Sequence, residues 1–471
     1  MTQNSKTGFL DRALGNLRDA WRGIAGSAYD AAAASSHPDL PEGHAERLRE
    51  QMRACLETRG GEVSARARAA ALGHAYLALD ATGRERFLTI LARDFGVDSD
   101  AVDRAVAELV RADGVEQRHG AGQALRKTLK APRVKLLTQF NALPEGVKFL
   151  VDMRAELMEL ARGNPHLGFV EADLKSLLGT WFDVDFLELR RITWETSSAK
   201  LLEKLIAYEA VHAIANWDDL KNRLAKDRRC FAYFHPRMPD EPLIFVEVAL
   251  VDGMAGNIQD LLDTGAPLLD PEDTDTAIFY SISNAQKGLA GISFGNFLIK
   301  RVVDNLAAEF KGLKTFATLS PAPGFRSWLD GQLNAGEEEL LTAAEQKAIT
   351  AAGAKNGGLK AVLANSDWHR DDALSEAMRG PLMRLCARFL TREQRENGRA
   401  VDPVTHFHLS NGARIGRLCW MADRSPKGLH QSAGMMINYV YKLAEIEDNH
   451  EAYTSKGKII ANSAVRGLAK P

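Results

Sequence analysis

The chain has 471 residues, a formal net charge of −2 and an ordinary share of apolar and charged residues. This length exceeds what one hydrophobic core usually organises, so we expect at least two domains. A charge so close to zero gives no global reason to expect nucleic acid or a membrane as a partner. Any site for an anion must therefore be local.

The cysteines are few and far apart, and they form no C-x-x-C pair, which argues against a disulfide framework and against a zinc knuckle. They are Cys55, Cys230, Cys386 and Cys419. No apolar run approaches the roughly 20 residues of a membrane-spanning helix. We therefore expect a cytoplasmic protein in a reducing compartment.

The first predicted helix carries an apolar stripe at helical spacing, formed by Leu10, Leu14, Leu17, Trp21 and Ile24. Transit peptides have similar stripes. Because Asp11 and Asp19 lie within the same segment, we favour the first helix of a domain over a targeting segment.

Helical periodicity continues to about residue 185, whereas from residue 189 short β-branched and aromatic runs alternate with helical segments. The predicted strands are RRITWE, CFAYFHP, LIFVEVALV, AIFYSIS, LKTFATLSP, VTHFHL and RIGRLCWM. The predicted later helices are 199–210, 217–224, 296–310, 337–351, 381–391 and 430–447. We therefore predict an α+β multidomain fold, with an all-α domain over residues 1–188 and a mixed α/β domain over residues 189–471.

The segment NAQKGLAGISFG lies between the AIFYSIS strand and a predicted helix. Its three glycines allow the backbone to approach a ligand, and a helix start offers unpaired N–H groups, which together favour a pyrophosphate site. Neither the Walker A motif nor the G-x-G-x-x-G fingerprint is present. A glycine-rich turn without a ligand is the alternative. The segment resembles the coenzyme A loop of GNAT acetyltransferases, although Gln286, Gly288 and Gly291 are offset from that spacing.

Ser320 and two histidines are further candidates for a site. Ser320 precedes Pro321 at the end of a predicted strand, where a hydroxyl can contact a ligand or simply cap a turn. If VTHFHL is a strand, His406 and His408 point to one face, as a metal pair would. The additional ligands for a metal have no recognisable spacing; they would be His235, His369, Asp423 and His430.

Three segments, taken together, resemble the malonyl-CoA decarboxylase family in their order and separation: SISNAQKGLAGISFGNFLIKRVV, FATLSPAPGF and DPVTHFHLSNGARIGRLCWMAD. The resemblance implies an N-terminal helical domain and a GNAT-like acyl-CoA-binding catalytic domain. It also implies self-association as a dimer or tetramer. The implied reaction, part of malonate and fatty acid metabolism, converts malonyl-CoA to acetyl-CoA and carbon dioxide without a metal or organic cofactor.

By motif, the resemblance implies that Ser320 orients the substrate and that His408 protonates the α-carbon. His406 occupies a position that the family does not require to be histidine, and Thr318 is the nearest rival hydroxyl. The implied substrate-binding residues are Gln286, Lys287, Gly288, Leu289, Ala290, Gly291, Ile292, Ser293, Phe294, Gly295, Asn296, Ser320, His408 and Asn411.

The chemistry of the implied reaction suits these residue types. A malonyl thioester carries its own electron sink, so the protein must hold the carboxylate out of the thioester plane, stabilise an oxyanion and supply a proton. A histidine that titrates near neutrality would suit the last task. Ser320 can bind either the carboxylate or the thioester oxygen, and Asn411 can orient His408 or only form a turn. The candidate phosphate-binding cations are Lys287, Lys300, Arg414 and Arg417.

Other functions remain open. An acyltransferase would use the same loop but leave the pair of Ser320 and His408 without a clear role. A non-enzymatic interaction module would not bind coenzyme A at all. Methylmalonyl-CoA remains an alternative substrate, because one methyl group changes discrimination by only ~1–3 kcal/mol.

Overall fold

The computed structural model describes Trp21, Ile24 and Ala25 together with residues 37–57, 61–182, 186–292, 298–336, 340–353 and 358–470. Several residues named above lie outside the described residues, namely Leu10, Asp11, Leu14, Leu17, Asp19, Ser293, Phe294, Gly295 and Asn296. Trp21 is buried, and its indole N–H donates to the Pro144 carbonyl at 2.9 Å.

Two compact units make up the chain. The helical unit comprises Met1–Glu188, Phe234–Pro242 and Gln286–Ser293. The sheet unit comprises Leu189–Tyr233, Leu243–Ala285 and Phe294–Pro471. The glycine-rich loop of residues 286–293 thus belongs to the helical unit, although its sequence lies far from the other helices. That residues 1–188 and 189–471 form domains with separate roles stays a prediction.

The helical unit contains eight described helices before the first strand: α1 (Glu42–Leu56), α2 (Gly61–Ala78), α3 (Ala81–Asp94), α4 (Ser99–Arg111), α5 (Val115–Thr128), α6 (Pro132–Phe140), α7 (Gly146–Leu160) and α8 (Pro165–Trp181). The apolar residues predicted at helical spacing form the buried faces of α3 and α7. Among them are Phe87, Leu91, Phe149 and Leu157. Between them, α4 and α5 leave several valines exposed.

An eight-stranded mixed sheet organises the second unit, in the order β1-β2-β3-β4-β5-β8-β6, with β7 paired to β8. The strands are β1 (Glu188–Ile192), β2 (Arg228–His235), β3 (Met238–Val251), β4 (Thr276–Asn284), β5 (Thr315–Thr318), β6 (Ser320–Pro321), β7 (Arg414–Cys419) and β8 (Met436–Val440). β4 and β5 are parallel, whereas β5, β6 and β7 each pair antiparallel with β8. The order of helices and strands along the chain confirms the predicted fold class, a helical N-terminal region followed by a mixed α/β region.

Helices connect these strands: α9 (Ala199–Tyr208), α10 (Trp217–Arg223), α11 (Ile258–Leu262), α12 (Leu298–Glu309), α13 (Phe325–Ala335), α14 (Ala343–Ala351), α15 (Gly358–Ala364), α16 (Asp372–Arg392), α17 (Pro403–Ser410), α18 (Pro426–Ser432), α19 (Ile446–Lys456) and α20 (Ser463–Leu468). The predicted inner stripe of α12 is confirmed, because Leu298, Val302 and Leu306 are buried.

Two predicted elements are wrong. The segment VTHFHL lies in α17 and is not a strand. The predicted helix 430–447 is instead the end of α18, then β8, then the start of α19. In the latter case, the tyrosines and apolar residues of MMINYVY fill a central strand whose burial on both faces hides the alternation that usually identifies a strand.

Within the described part of the chain, no helix combines the length and the apolar character needed to cross a membrane.

Candidate active site

Ser320 lies in the short strand β6, where the sheet fixes its backbone. The register pairs Ser320 with Ile437 and Pro321 with Met436 of β8. The residue before a proline disfavours helical backbone and favours extended backbone. The position of Ser320 before Pro321 therefore suits the end of a strand. Ser320 is buried, with 7% of its surface exposed.

His408 lies near the end of α17, a helix whose two ends carry clear sequence signals. The Asp402 carboxylate accepts a hydrogen bond from the Thr405 amide at 2.8 Å and caps the N-terminus, and Pro403 fills the first helical turn. Beyond the last turn, Gly412 adopts a left-handed φ of 83°, and the Ala413 amide donates to the His408 carbonyl. These contacts hold the His408 backbone from both directions.

The structure brings Ser320 and His408 together. Ser320 Oγ lies 3.0 Å from His408 Nε2. On the other side of the ring, His408 Nδ1 lies 2.8 Å from the Tyr441 hydroxyl. Tyr441 follows β8 directly, and its ring is buried with 2% exposure. A buried chain of three polar groups, Ser320–His408–Tyr441, therefore crosses this end of the sheet.

Two tautomers of a neutral His408 ring fit these contacts, because the hydroxyls of Ser320 and Tyr441 can each donate or accept. In one tautomer the Tyr441 O–H donates to Nδ1 and Nε2–H donates to Ser320 Oγ, which leaves the Ser320 O–H for a bound molecule. In the other tautomer Nδ1–H donates to the Tyr441 oxygen and the Ser320 O–H donates to Nε2.

Burial also determines the charge of His408. Desolvation lowers the pKa of His408 from its ordinary value to about 3, because a buried imidazolium loses its hydration. The expectation of a histidine that titrates near neutrality is therefore wrong. His408 is neutral at physiological pH in the unliganded protein.

A second buried network supports the pair. Asp402 also accepts from the Thr405 hydroxyl at 3.0 Å and from the Gly324 amide at 3.0 Å. The Thr405 hydroxyl lies 2.7 Å from the Tyr439 hydroxyl. The Tyr439 ring stacks on the His408 ring with centroids 4.4 Å apart. Asp402 thus connects the turn after Ser320 to the helix that carries His408.

His406 occupies a different environment. Because α17 is a helix, residues two apart point in different directions, and His406 and His408 do not share a face. His406 is half-buried, and its Nδ1 lies 2.8 Å from the Tyr453 hydroxyl. Among the described residues, no group of three or more His, Cys, Asp or Glu side chains has an arrangement that could hold a metal ion.

The described side-chain hydrogen bonds of the other two polar candidates, Thr318 and Asn411, go to groups other than the His408 ring. Thr318 is buried; its hydroxyl lies 3.4 Å from the Ile437 carbonyl and accepts from the Tyr439 amide. The Asn411 side-chain amide donates to the Phe407 carbonyl at 2.9 Å. This hydrogen bond lies at the C-terminus of α17, and the predicted role of Asn411 in substrate binding stays a prediction.

The described part of the glycine-rich loop lies in the helical unit. Its short 3₁₀ turn, Lys287–Leu289, packs on α7. The Gln286 side chain is buried and donates to the Pro242 carbonyl, and Gly288, Leu289 and Ile292 are buried as well. Lys287 and Gly291 are the exposed positions of the described loop.

Three of the cations predicted to bind phosphates already have polar partners. Lys300 pairs with Glu447 at 2.6 Å, and Arg414 lies 3.6 Å from Glu445. Arg417 donates to Asn438 and to two backbone carbonyls. The role of Lys287 stays a prediction.

Sequence reasoning missed Asp402 and Tyr441. Asp402 could have been found, because an Asp-Pro pair before an apolar segment is a signal for the start of a helix. Tyr441 lies within the segment 430–447, which the sequence predicted to be helical, and its contact with His408 depends on the pairing of β8 with strands far away in sequence.

The fold and the buried contact define a class of protein: an all-helical unit followed by a mixed-sheet unit that carries a serine–histidine pair at a strand end. Two family models match the chain. The model described as the malonyl-CoA decarboxylase C-terminal domain matches residues 185–471, and the model of the N-terminal domain matches residues 95–182. The chain belongs to the malonyl-CoA decarboxylase family, which confirms the resemblance.

Individual relatives support the same assignment. The mitochondrial malonyl-CoA decarboxylases of Anser anser anser and Mus musculus are each 40% identical over 408 residues, covering 83% of this chain and 81% and 82% of theirs. The crystal structure of malonyl-CoA decarboxylase from Rhodopseudomonas palustris matches with a TM-score of 0.82 and 41% identity, covering 90% of this chain and 99% of that one. The enzyme from Agrobacterium vitis gives 0.81 and 40%, covering 90% and 100%.

Proposed function

We propose that the protein is a malonyl-CoA decarboxylase that converts malonyl-CoA to acetyl-CoA and carbon dioxide, with Ser320 and His408 as its catalytic residues. The observation that carries the proposal is the 3.0 Å contact between Ser320 Oγ and His408 Nε2. These residues lie far apart in sequence, at the two positions that the family resemblance implies. An acyltransferase has no evident use for this buried pair.

The first chemical step breaks the bond between the α-carbon and the carboxylate of the malonyl group. The electron pair of that bond passes into the thioester carbonyl, so carbon dioxide leaves and an enolate remains. The proposed mechanism uses the tautomer in which Tyr441 donates to Nδ1 and Nε2–H donates to Ser320 Oγ. The Ser320 O–H then donates to the substrate, either to the carboxylate or to the thioester oxygen. In the second case it stabilises the charge that develops on that oxygen.

The second step forms the C–H bond of the acetyl product. His408 Nε2–H donates its proton to the α-carbon of the enolate. A neutral imidazole can act as an electrophile towards an enolate-like species, as in triosephosphate isomerase. The Tyr441 hydrogen bond to Nδ1 stabilises the ring as it loses the proton, and solvent restores that proton after the product leaves. Because the thioester is the electron sink, the proposed reaction has no step for a metal or an organic cofactor.

Other parts of the chain have proposed roles. We assign the glycine-rich loop to the coenzyme A phosphates. The parallel pair β4 and β5, joined through this loop and α12, supports the GNAT-like fold. The exposed side chains of Val106, Val110 and Val115 support self-association through the helical unit. The cytoplasmic location and the dimer or tetramer stay predictions.

Incubation of the purified protein with malonyl-CoA tests the proposal. We expect acetyl-CoA and carbon dioxide in equal amounts without any added acceptor, and no loss of rate after treatment with a chelator. Formation of an acyl-amine product only when an amine is present would instead identify an acyltransferase. If the protein neither reacts with malonyl-CoA nor binds coenzyme A in calorimetry, the proposal fails.

The pH dependence of the rate distinguishes a neutral from a charged His408. Because the pKa of His408 is lowered to about 3, the free protein keeps the neutral ring from about pH 5 to about pH 8. We expect kcat/KM for malonyl-CoA to show no inflection near the ordinary pKa of histidine. A required imidazolium would instead make kcat/KM fall about tenfold for each unit of rising pH in this range.

A further inference from the structure

We propose that the helical unit builds part of the coenzyme A phosphate site, with Arg154 as a positioning residue for the glycine-rich loop and Lys175 as a phosphate-binding cation. The inference rests on the proposed function, because it assigns new residues to the loop that would hold those phosphates. Neither residue lies in the segments that resemble other coenzyme A sites.

The buried side chain of Arg154 on α7 binds the backbone of the glycine-rich loop. This side chain is almost fully buried, with 1% exposure. One guanidinium nitrogen donates to the Gly288 carbonyl at 2.6 Å and another to the Ala290 carbonyl at 2.9 Å. The same group binds Glu171 of α8 at 2.7 Å. A planar guanidinium can satisfy carbonyls and a carboxylate together, which an ammonium cannot do with the same geometry.

The close packing of Gly288 against α7 brings the loop backbone within reach of the Arg154 side chain. A Cβ atom at Gly288 would lie 1.7 Å from the Val151 carbonyl oxygen, so only glycine permits this approach. The loop backbone is therefore seated on the helix, and Arg154 holds two of its carbonyls inward. Carbonyls that point towards Arg154 do not face an incoming phosphate, whose negative charge they would repel. The N–H groups of Leu289, Ala290 and Ile292 donate to carbonyls within the loop, so the charge for a bound phosphate must come from a side chain near the loop.

Lys175 lies at the open side of the same loop. Its ammonium nitrogen is 3.2 Å from the position that a Cβ of Gly291 would occupy. Gly291 is exposed and has a left-handed φ of 71°. Lys175 follows Glu171 by one helical turn, so both side chains leave α8 on one face. Among the described residues, Lys175 is exposed and forms no ion pair, which leaves its charge for a bound phosphate.

Two substrates and matched controls test the inference. The variants are Arg154→Met and Lys175→Ala, with Arg154→Lys as a milder change. Arg133→Met is the control for the first, because Arg133 is also buried, binds Asp173 of α8 at 2.7 Å and donates to the Ala92 carbonyl. Lys127→Ala is the control for the second, since Lys127 is exposed on α5. Malonyl-pantetheine, which lacks the nucleotide phosphates, serves as the second substrate.

We expect Arg154→Met to raise KM for malonyl-CoA about tenfold or more, with kcat within about twofold of the parent. Arg154→Lys should give an intermediate KM. Lys175→Ala should raise KM about threefold to tenfold at low salt, and added salt should reduce the difference. With malonyl-pantetheine, both variants should match the parent. Arg133→Met should lower the melting temperature without changing either KM.

Three results would overturn the inference: an unchanged KM in Arg154→Lys and Lys175→Ala, an equal rise in KM in the two controls, or an equal defect with malonyl-pantetheine. If Arg154→Met does not fold, the Arg154→Lys and Lys175→Ala data decide. If the parent protein and these variants turn over malonyl-CoA equally well, the inference is refuted but the proposed function is not. A parent that neither reacts with malonyl-CoA nor binds coenzyme A refutes the proposed function as well.

Discussion

Replacement of His408 by alanine is expected to lower turnover of malonyl-CoA by about 10²–10⁴-fold. The variant loses the proposed proton donor, and it also loses the ring that is hydrogen-bonded to Tyr441 and Ser320. Steady-state kinetics measures the loss. Calorimetry with coenzyme A should still show binding, because His408 lies in the sheet unit and the glycine-rich loop is built by the helical unit.

His406→Ala is the matched control for this change. His406 lies on the same helix, is only half-buried and contacts Tyr453. We expect most of the activity to remain. Because an alanine at the buried position 408 leaves a cavity, His408→Asn should be measured too; it keeps polar atoms there but no imidazole. Full activity in His408→Asn, or a larger loss in His406→Ala than in His408→Ala, would move the catalytic role away from His408.

Ser320→Ala should also lower kcat strongly, by about 10²–10³-fold, the usual effect of removing one donor to a developing oxyanion. The variant removes the hydroxyl that lies 3.0 Å from His408 Nε2 and that is the proposed donor to the substrate. Binding of coenzyme A should be nearly unchanged. The comparison of kcat with the coenzyme A dissociation constant separates the two effects.

Thr318→Val is the control for the serine. Its hydroxyl is the nearest alternative, but it bonds within the sheet to Ile437 and Tyr439. We expect a stability loss of about 1 kcal/mol from the broken hydrogen bonds and little change in kcat. An unchanged rate in Ser320→Ala would eliminate Ser320, and a large loss in Thr318→Val at an unchanged melting temperature would point to Thr318.

The sequence was sufficient to predict the order of the two kinds of structure. Long amphipathic stripes identify the N-terminal helices, and short apolar runs such as AIFYSIS and LIFVEVALV identify the central strands because they are buried on both sides. It also led, through the family resemblance, to the two residues that now lie within hydrogen-bond distance. Local periodicity alone would not have paired them, because 88 positions separate them.

For the helix that carries His408, the residue composition predicted the wrong secondary structure. Valine, threonine and phenylalanine in VTHFHL favour a strand, and the segment is too short for helical periodicity to be evident. The boundary signals pointed the other way: Asp402 and Pro403 start a helix, and Gly412 ends it. In a helix as short as α17, the capping residues outweigh the intrinsic preference of the residues between them for a strand.

The charge of His408 and the contacts of Arg154 with the glycine-rich loop could not be predicted at all. The pKa of the histidine depends on burial by elements from distant parts of the chain, and the guanidinium of Arg154 meets the Gly288 and Ala290 carbonyls across 134 and 136 positions. Such contacts arise only when the tertiary structure is complete.

The hydrogen bond between Asp402 and the Gly324 amide has a consequence for how this family can vary in length. It fastens the two ends of the intervening chain, 78 positions apart, beside the serine and the histidine. Closing a longer loop costs little, about 0.6 kcal/mol for each doubling of its length. Insertions in the connections between the helices α13 to α16 of this segment should therefore leave the reactive groups in place, whereas the loss of a single residue within β8 would carry Tyr441 out of register.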